Sequence, residues 1–512
     1  MPRLPTRRLV FSLLLFSSPI SLIIPQPSFV ASAQSMRQGS RVQGITSNAL
    51  KAAATDSVTR NFYKKNGWHA AWSDDASLVL KQSLDERDRH GLDHLSFLTE
   101  SDPGNAAGHD VAMTRAALRF ASALSRGVSD PEDQHSIYTL PRPKDDLTAS
   151  LAAALAKGDL RRWLDGLAPQ DKEYATLSNA YLAFRDEASA GDRSSISAGV
   201  LRVGDRDSRV TLIVRRLVDS DYLPPQTEAG TIYTSSIADA IKRLQRDFGI
   251  PEDGVVGPDT LEVLNLGAGD RARALAVALD RRRSLARDVP ATRIDVNTAA
   301  ARLDYFRDGK LVDSRRVIVG KPGKETPLLL APIYRLVANP TWTIPKSIQN
   351  GEMAGVSDAY LRSHNMIRRN GWIVQGSGPG NALGLVKFDM QDRYAIYLHD
   401  TSSRSLFERS ERHLSHGCVR VEDAAGFAEM IARDEGVEDK WRVAKASGSQ
   451  KFVKLPQRIP VRLLYRNVFV DRDGSVAFRT DPYAWNQPIA QALGFTKGGT
   501  AKSRAEAIDL GP

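Results

Sequence analysis

Apolar residues recur at helical spacing through the first half of the chain and alternate with polar ones through the second, which predicts a change of secondary structure near residue 292. Amphipathic segments at 114–126, 147–156 and 171–186, separated by polar or Gly/Pro-containing breaks, predict a helical domain over 50–200. Ile237, Ile241, Leu244 and Phe248 share one face of a further helix that stops at Gly249. A turn over 253–260 opens the next helix, with Pro258 suited to its first position. Another helix is expected at 271–287. From Thr292 onward β-branched and aromatic residues alternate with polar ones, Asp308-Gly309 sits between two such runs as a hairpin turn, and 394–398 reads as a strand. Past residue 486 the chain turns rich in Gly, Lys and Ala, predicting a disordered tail over 487–512.

A chain of 512 residues exceeds what one hydrophobic core supports, and its length predicts about three domains. Hydrophobic and charged contents of 42% and 25% are those of a folded globular protein. The net charge of +10 suits an acidic polymer, an anionic lipid or a nucleic acid. Lys and Arg are spread along the chain, without zinc-finger spacing or an aromatic RNA-binding motif, so nucleic acid is not an expected partner. Arg3, Arg7 and Arg8 precede an apolar run at 9–16, and Ala31-Ser32-Ala33 forms a small-residue cleavage signal. A secretory signal peptide is therefore expected over 1–33, followed by a flexible linker over 34–49. Ser17, Ser18 and Pro19 interrupt the apolar run, so no stable membrane span is expected once the signal is cleaved.

The single cysteine, Cys418, forms no intramolecular disulfide. A free thiol in an exported protein is open to oxidation, and catalysis is a better reason for it than packing. Three of the nine histidines, His399, His413 and His416, lie within 20 residues of it. A thiol is mostly protonated at neutral pH, and a neighbouring imidazole can draw off its proton to make the nucleophile. The rival reading of the same four residues is a zinc site with mixed nitrogen and sulfur ligands. Far from this cluster, Phe62, Tyr63, Trp68 and Trp72 form an aromatic group able to stack on sugar rings, though such groups are more often core.

His399, followed after 15 residues by Ser415-His416-Gly417-Cys418 and then Val419-Arg420, resembles the signature of the L,D-transpeptidase family, which has a YkuD-type catalytic domain. Val319-Gly320 with Thr326-Pro327, Asn339-Pro340-x-Trp342-x-x-Pro345 and Gly380-Asn381-x-Leu383-Gly384 extend the likeness, with Ala382 standing where Pro is common. Leu244-Gln245 followed by Asp253-Gly254-x-x-Gly257-Pro258-x-Thr260 resembles a small three-helix peptidoglycan-binding module. The resemblance implies a multidomain α+β fold similar to the larger Gram-negative members. It would comprise a helical scaffold over 50–200, a peptidoglycan-binding-like domain over 201–267, a scaffold return helix over 268–291 and a mainly β catalytic domain over 292–486. A capping segment would lie at about 346–378.

In function the resemblance implies a periplasmic, wall-associated enzyme that joins Cys418 to the third residue of a peptidoglycan tetrapeptide stem as a thioester and releases D-Ala. The acyl group then passes to an amine of a second stem, forming a 3-3 crosslink. His399 would be the base, Asp400 would hold it through its backbone carbonyl, and Gly417 would lie in the oxyanion region. Ser415, His416, Arg420, Asn381 and Trp342 would bind substrate. No cofactor or metal is implied, and the thioester conserves the energy of the broken peptide bond. The acceptor stays open among a second stem, water (an L,D-carboxypeptidase) and an amine of an outer-layer protein. A zinc-binding or non-catalytic wall-binding protein is the alternative of another class.

Overall fold

The computed structural model describes residues 44–99, 105–189 and 194–495. The expected signal peptide and most of the linker lie outside these residues. Among the described residues no helix is long and apolar enough to cross a membrane. The chain is a multidomain α+β protein.

Helices Ala106–Arg126, Leu147–Lys157 and Lys172–Ser189 form where helical periodicity placed them, each extended beyond its expected bounds. Asn105 and Asp146 cap the first two by accepting from backbone N–H groups of the first turn. They pack with the shorter helices Ser47–Ala53, Ser57–Lys65, Asp74–Asp85 and Leu160–Leu167 into one apolar core. Phe62, Tyr63 and Trp72 are part of that core, with Tyr63 donating to Asp110 at 2.6 Å. Their aromatic faces are thus committed to packing. Helix Ala268–Ser284 returns to the same core through Leu275, Ala276 and Leu279. So does helix Asn486–Ala492, through Ile489, Ala490 and Leu493. The expected disordered tail therefore does not begin at 487. Three apolar residues in a Gly/Ala-rich stretch find a preformed groove, which composition does not register.

Residues 194–266 carry a separate small core. Helix Ser235–Phe248 ends at Gly249 in the left-handed conformation, and Pro258 opens helix Pro258–Leu264. The buried Gln245 ties this unit together. Its Nε2 donates to Asp253 Oδ1, the Val255 carbonyl and Thr260 Oγ1, and its Oε1 accepts from Gly254 N–H. The Gln, Asp-Gly and Thr of the module's hallmark are thus one hydrogen-bonded unit, so their spacing encodes the fold of the module.

The remaining residues form fourteen strands among those described. In chain order these are β1 Arg293–Asn297, β2 Arg302–Arg307, β3 Lys310–Gly320, β4 Leu329–Ala338, β5 Trp342–Thr343, β6 Met366–Arg369 and β7 Trp372–Gln375. They continue with β8 Val386–Met390, β9 Leu398–His399, β10 His413–Ser415, β11 Val419–Val421, β12 Lys451–Leu464, β13 Val468–Val470 and β14 Val476–Phe478. The main sheet runs β10-β3-β11-β9-β8-β4-β12-β1-β2 and closes on itself by pairing β2 with β3. Asp308 and Gly309, both at positive φ, make the expected hairpin turn between those two strands. Helix Ala424–Asp434, capped by the Asp423 side chain, packs Phe427 and Ile431 into the sheet's core.

Of the expected strand at 394–398 only Leu398 reaches the sheet, where it pairs together with His399 as β9. Ala395 at φ 57° turns the preceding residues out of extended geometry. β5, β7 and β6 form a second small sheet with its own core, built on Trp342, Ile344, Ile348, Leu361, Met366, Ile373 and Leu383. This unit occupies the expected capping segment and recruits β5 from just ahead of it.

Candidate active site

Strand register builds the site. β9 lies between β8 and β11, which aligns Phe388, Leu398 and Val419 in one row and Lys387, His399 and Arg420 in the next. The first row is fully buried in the apolar core. The second faces the other way, because side chains alternate along a strand. Two residues back on that same face come Tyr397 and, in register with it, Cys418. Val419 N–H donates to the Tyr397 carbonyl at 3.2 Å, locking the two segments side by side. Cys418 and His399 are thus diagonal neighbours on adjacent strands.

His399 is 1% exposed, and its Nδ1 lies 2.6 Å from the Asp400 carbonyl oxygen. A carbonyl only accepts, so Nδ1 carries the proton and Nε2 keeps a lone pair. Burial, then the neighbouring Arg420 and Lys387, lowers the His399 pKa to about 3, against the pull of the Asp400 hydrogen bond. The imidazole is therefore neutral at rest. Burial pushes the Cys418 thiol up, while hydrogen bonds from the Tyr397 backbone and side chain work against that rise. The resting pair is neutral thiol and neutral imidazole, in place of the thiolate–imidazolium pair that the motif suggests. The thiol is directed at the Ala395 carbonyl, 3.8 Å away.

Glycines set the backbone around this pair. Gly384 stands at φ 58°, and a Cβ there would lie 2.4 Å from the Asp400 carboxyl carbon. That close approach lets Asp400 Oδ2 accept from Leu385 N–H at 2.9 Å while its carbonyl holds His399. Gly417, at φ 112°, makes the turn before the cysteine. Its carbonyl accepts from Thr326 Oγ1 at 3.0 Å, and Thr326 Oγ1 in turn accepts from Gly320 N–H at 2.8 Å. The Gly417 amide, expected to face an oxyanion, donates inward to Ser415 Oγ at 3.2 Å.

The five expected substrate-binding residues separate sharply. Ser415 is fully buried and donates to the Cys418 carbonyl at 2.6 Å, so it holds the loop. Arg420 is 1% exposed beside His399 and has no surface to offer a substrate. Asn381 is buried, with Nδ2 on the Gly376 carbonyl and Oδ1 on Leu383 N–H, and Trp342 lies in the cap's core. His416, on the catalytic loop, reaches the cap at Glu352, with Nε2 2.7 Å from Glu352 Oε1. These placements share a cause: the motif names residues that build the loop as well as residues that face its opening.

The geometry also separates the zinc reading's ligands. His413 Nε2 contacts the Thr298 carbonyl at 2.9 Å, and its ring packs edge-on against Tyr483. Among the described residues no group of three or more His, Cys, Asp or Glu is placed to hold a metal ion.

Tyr397 is the site residue that motif reading missed. Its ring meets that of His399 at 5.5 Å, edge to face, with Lys387 Nζ 4.1 Å from its centroid. Its hydroxyl is pushed well above the usual phenol range, by burial first and then by Cys418. The alternation that places His399 on the site face also places the residue two positions before it there, which was the available signal.

Comparison with known proteins agrees with this architecture. Residues 291–443 match the family model described as the L,D-transpeptidase catalytic domain (YkuD), and residues 57–180 match a scaffold domain. Residues 206–264 match a model described as "Putative peptidoglycan binding domain". A Haemophilus influenzae protein described as "Putative L,D-transpeptidase" is 31% identical over 221 residues, covering 38% of this chain and 45% of that protein. The chain thus spans less than half the length of this curated relative. Among solved structures, an L,D-transpeptidase from Stackebrandtia nassauensis is 16% identical, covering 53% of this chain and 97% of that one at a TM-score of 0.24. One from Xylanimonas cellulosilytica is 18% identical, covering 53% and 99% at a TM-score of 0.19. Superpositions this loose carry no weight beside the sequence matches. Residues 291–443 of the chain are thus similar to the L,D-transpeptidase catalytic domain, accompanied by regions that match a scaffold domain and a peptidoglycan-binding domain.

Proposed function

We propose that this protein is a cysteine acyltransferase that forms 3-3 crosslinks between peptidoglycan stems, with Cys418 as nucleophile and His399 as base. One observation carries the reading. The Asp400 carbonyl fixes the His399 proton on Nδ1, which leaves a basic Nε2 on the strand face that Cys418 occupies.

Cys418 Sγ attacks the carbonyl carbon of the third stem residue as its proton passes to His399 Nε2. The negative charge that develops on the carbonyl oxygen needs backbone donors. With the Gly417 amide engaged by Ser415, that role falls to the Cys418 amide, and Gly417 contributes the left-handed turn that presents it. Collapse breaks the amide bond, and His399 returns the proton to the departing D-Ala amine. An amine of a second stem then attacks the thioester, its proton passes by way of His399 to the sulfur, and the thiol is restored. Starting from a neutral pair suits this cycle, because His399 must take and give the proton at each half-reaction. The wall-binding module would hold the enzyme against its polymeric substrate, in the periplasm after removal of the signal peptide.

Mass spectrometry of muropeptides tests the reading, after incubation of tetrapeptide-stem peptidoglycan with the wild type and with Cys418→Ala. The expected product is a crosslinked dimer from the wild type alone. A tripeptide monomer would assign hydrolysis, and a stem coupled to a protein amine would assign attachment. Dimer formation by the Cys418→Ala protein would overturn the mechanism.

A further inference from the structure

The cap meets the catalytic loop through a carboxylate. Glu352 lies on the turn 351–355, between helices Lys346–Asn350 and Asp358–Ser363. That turn is held by its own backbone bonds, Gly351 N–H to the Ser347 carbonyl and Met353 N–H to the Ile348 carbonyl, each 3.0 Å. From it the Glu352 carboxylate reaches His416 Nε2 at 2.7 Å and Lys321 Nζ at 4.0 Å.

The two nitrogen groups belong to one frame. Lys321 N–H donates to the Ser415 carbonyl at 2.9 Å, and the Gly320–Thr326–Gly417 chain of hydrogen bonds ties the same segment to the turn before Cys418. His416 is itself two residues from the nucleophile. The catalytic domain thus presents an imidazole and an ammonium to one carboxylate from the segments tied to the Cys418 loop, while that acidic partner comes from the cap, whose core is separate from that of the sheet. The Glu352 side chain is half exposed, and a solvent-accessible ion pair of this kind is weak and exchangeable.

We propose that His416 and Lys321 form a subsite for a carboxylate of the substrate, and that Glu352 is an internal carboxylate occupying it until substrate displaces it. Resting on the function proposed above, the displacing group is a carboxylate of the stem peptide. Its arrival would break the cap's contact with the catalytic loop in the step that seats the substrate, which couples opening of the site to recognition. Glu352 is on this account a specificity-determining residue: it excludes neutral ligands of similar size, which cannot replace its bonds.

The lone cysteine makes a test that needs no transpeptidation. Iodoacetate and iodoacetamide alkylate Cys418 by the same step, in which the sulfur displaces iodide, so their rate ratio cancels differences in thiol ionisation and access. Intact-mass measurement on the full-length protein follows both. Glu352→Ala should raise the iodoacetate-to-iodoacetamide ratio about five-fold, the scale on which exposed ion pairs act. Adding Lys321→Met should return the ratio toward that of the wild type. Glu325→Ala removes a carboxylate that instead accepts from Gly323 N–H, and should leave the ratio unchanged. An unchanged ratio in Glu352→Ala, or an equal rise in Glu325→Ala, would overturn the subsite.

A second arm identifies the displacing carboxylate through the KM of a tetrapeptide stem and of its C-terminal amide. A KM lowered by Glu352→Ala for the acid alone assigns the terminal carboxylate, and one lowered for both assigns another carboxylate of the stem. No change for either overturns competition with substrate. Absence of turnover by the wild type would fail the proposed function while leaving the alkylation result to stand by itself.

Discussion

His90 in the scaffold and His399 in the sheet domain are both buried, and both have a pKa lowered to about 3 by burial and then by a neighbouring arginine, Arg283 in one case and Arg420 in the other. Each also lies against a tyrosine ring, Tyr174 or Tyr397. The difference lies in where the proton is held. His90 Nδ1 is 3.0 Å from the Tyr174 hydroxyl, which accepts from Arg283 Nη1 at 3.0 Å and has its own proton left to donate to the ring. That lone pair is therefore used inside the core. In His399 the Asp400 carbonyl holds the Nδ1 proton, which leaves the lone pair on Nε2. A depressed pKa thus marks burial beside a cation. What sets His399 apart is its tautomer, with the Nε2 lone pair left unclaimed by the Asp400 carbonyl, as the proposed base requires.

The strongest way to break the comparison is to remove the nucleophile. Cys418→Ala should lower crosslinking by at least about 10⁴-fold, with circular dichroism and sacculus binding unchanged. Next, His399→Gln should lower turnover about 10³-fold, whereas His90→Gln should stay within about two-fold of the wild type. Equal losses would show that the two imidazoles act alike, through stability. On the scaffold side, Asp280 accepts from Arg283, from Val128 N–H and from the Ser129 hydroxyl. Asp280→Ala leaves the fully buried Arg283 without its carboxylate and should destabilise the protein by about 3–5 kcal/mol in denaturant titration.

The smallest effect concerns pH. Both imidazoles stay neutral in the folded chain down to pH of about 3, while in the unfolded chain they take up a proton near 6.5. The unfolded state therefore binds more protons in that window. Stability is full above about 6.5 and falls as the pH drops toward 3, by about 1.4 kcal/mol per unit for each imidazole. His90→Gln and His399→Gln should each flatten the pH dependence of unfolding free energy by one proton between pH 4 and 6. A variant with the wild-type slope would show that its imidazole is protonated in the folded state.

Much of the molecule was legible in the chain. Helical periodicity, the Gly249 stop, Pro258 as a helix start and the Asp308-Gly309 turn are local signals, and each reappears as expected in the fold. The grouping of His399 with Ser415, His416, Gly417 and Cys418 was legible because a fixed spacing across two adjacent strands is itself a structural record. Less legible was the tail, where Ile489 and Leu493 gain their burial only from a groove made by distant helices.

The chain by itself therefore determined which residues are grouped as candidates for the chemistry, through short-range spacing and turn geometry. Tertiary structure decided which way each of them faces. Arg420, Asn381, Ser415 and Trp342 share motifs with the nucleophile or its supporting loops, yet all are buried. Tyr397 reached the site through strand alternation, and Glu352 through the docking of a cap 64 residues away from His416 in sequence. The reason is that exposure, desolvation and tautomer depend on the register between strands and the packing of separate cores. Those contacts join residues far apart along the chain and leave no periodic trace in it.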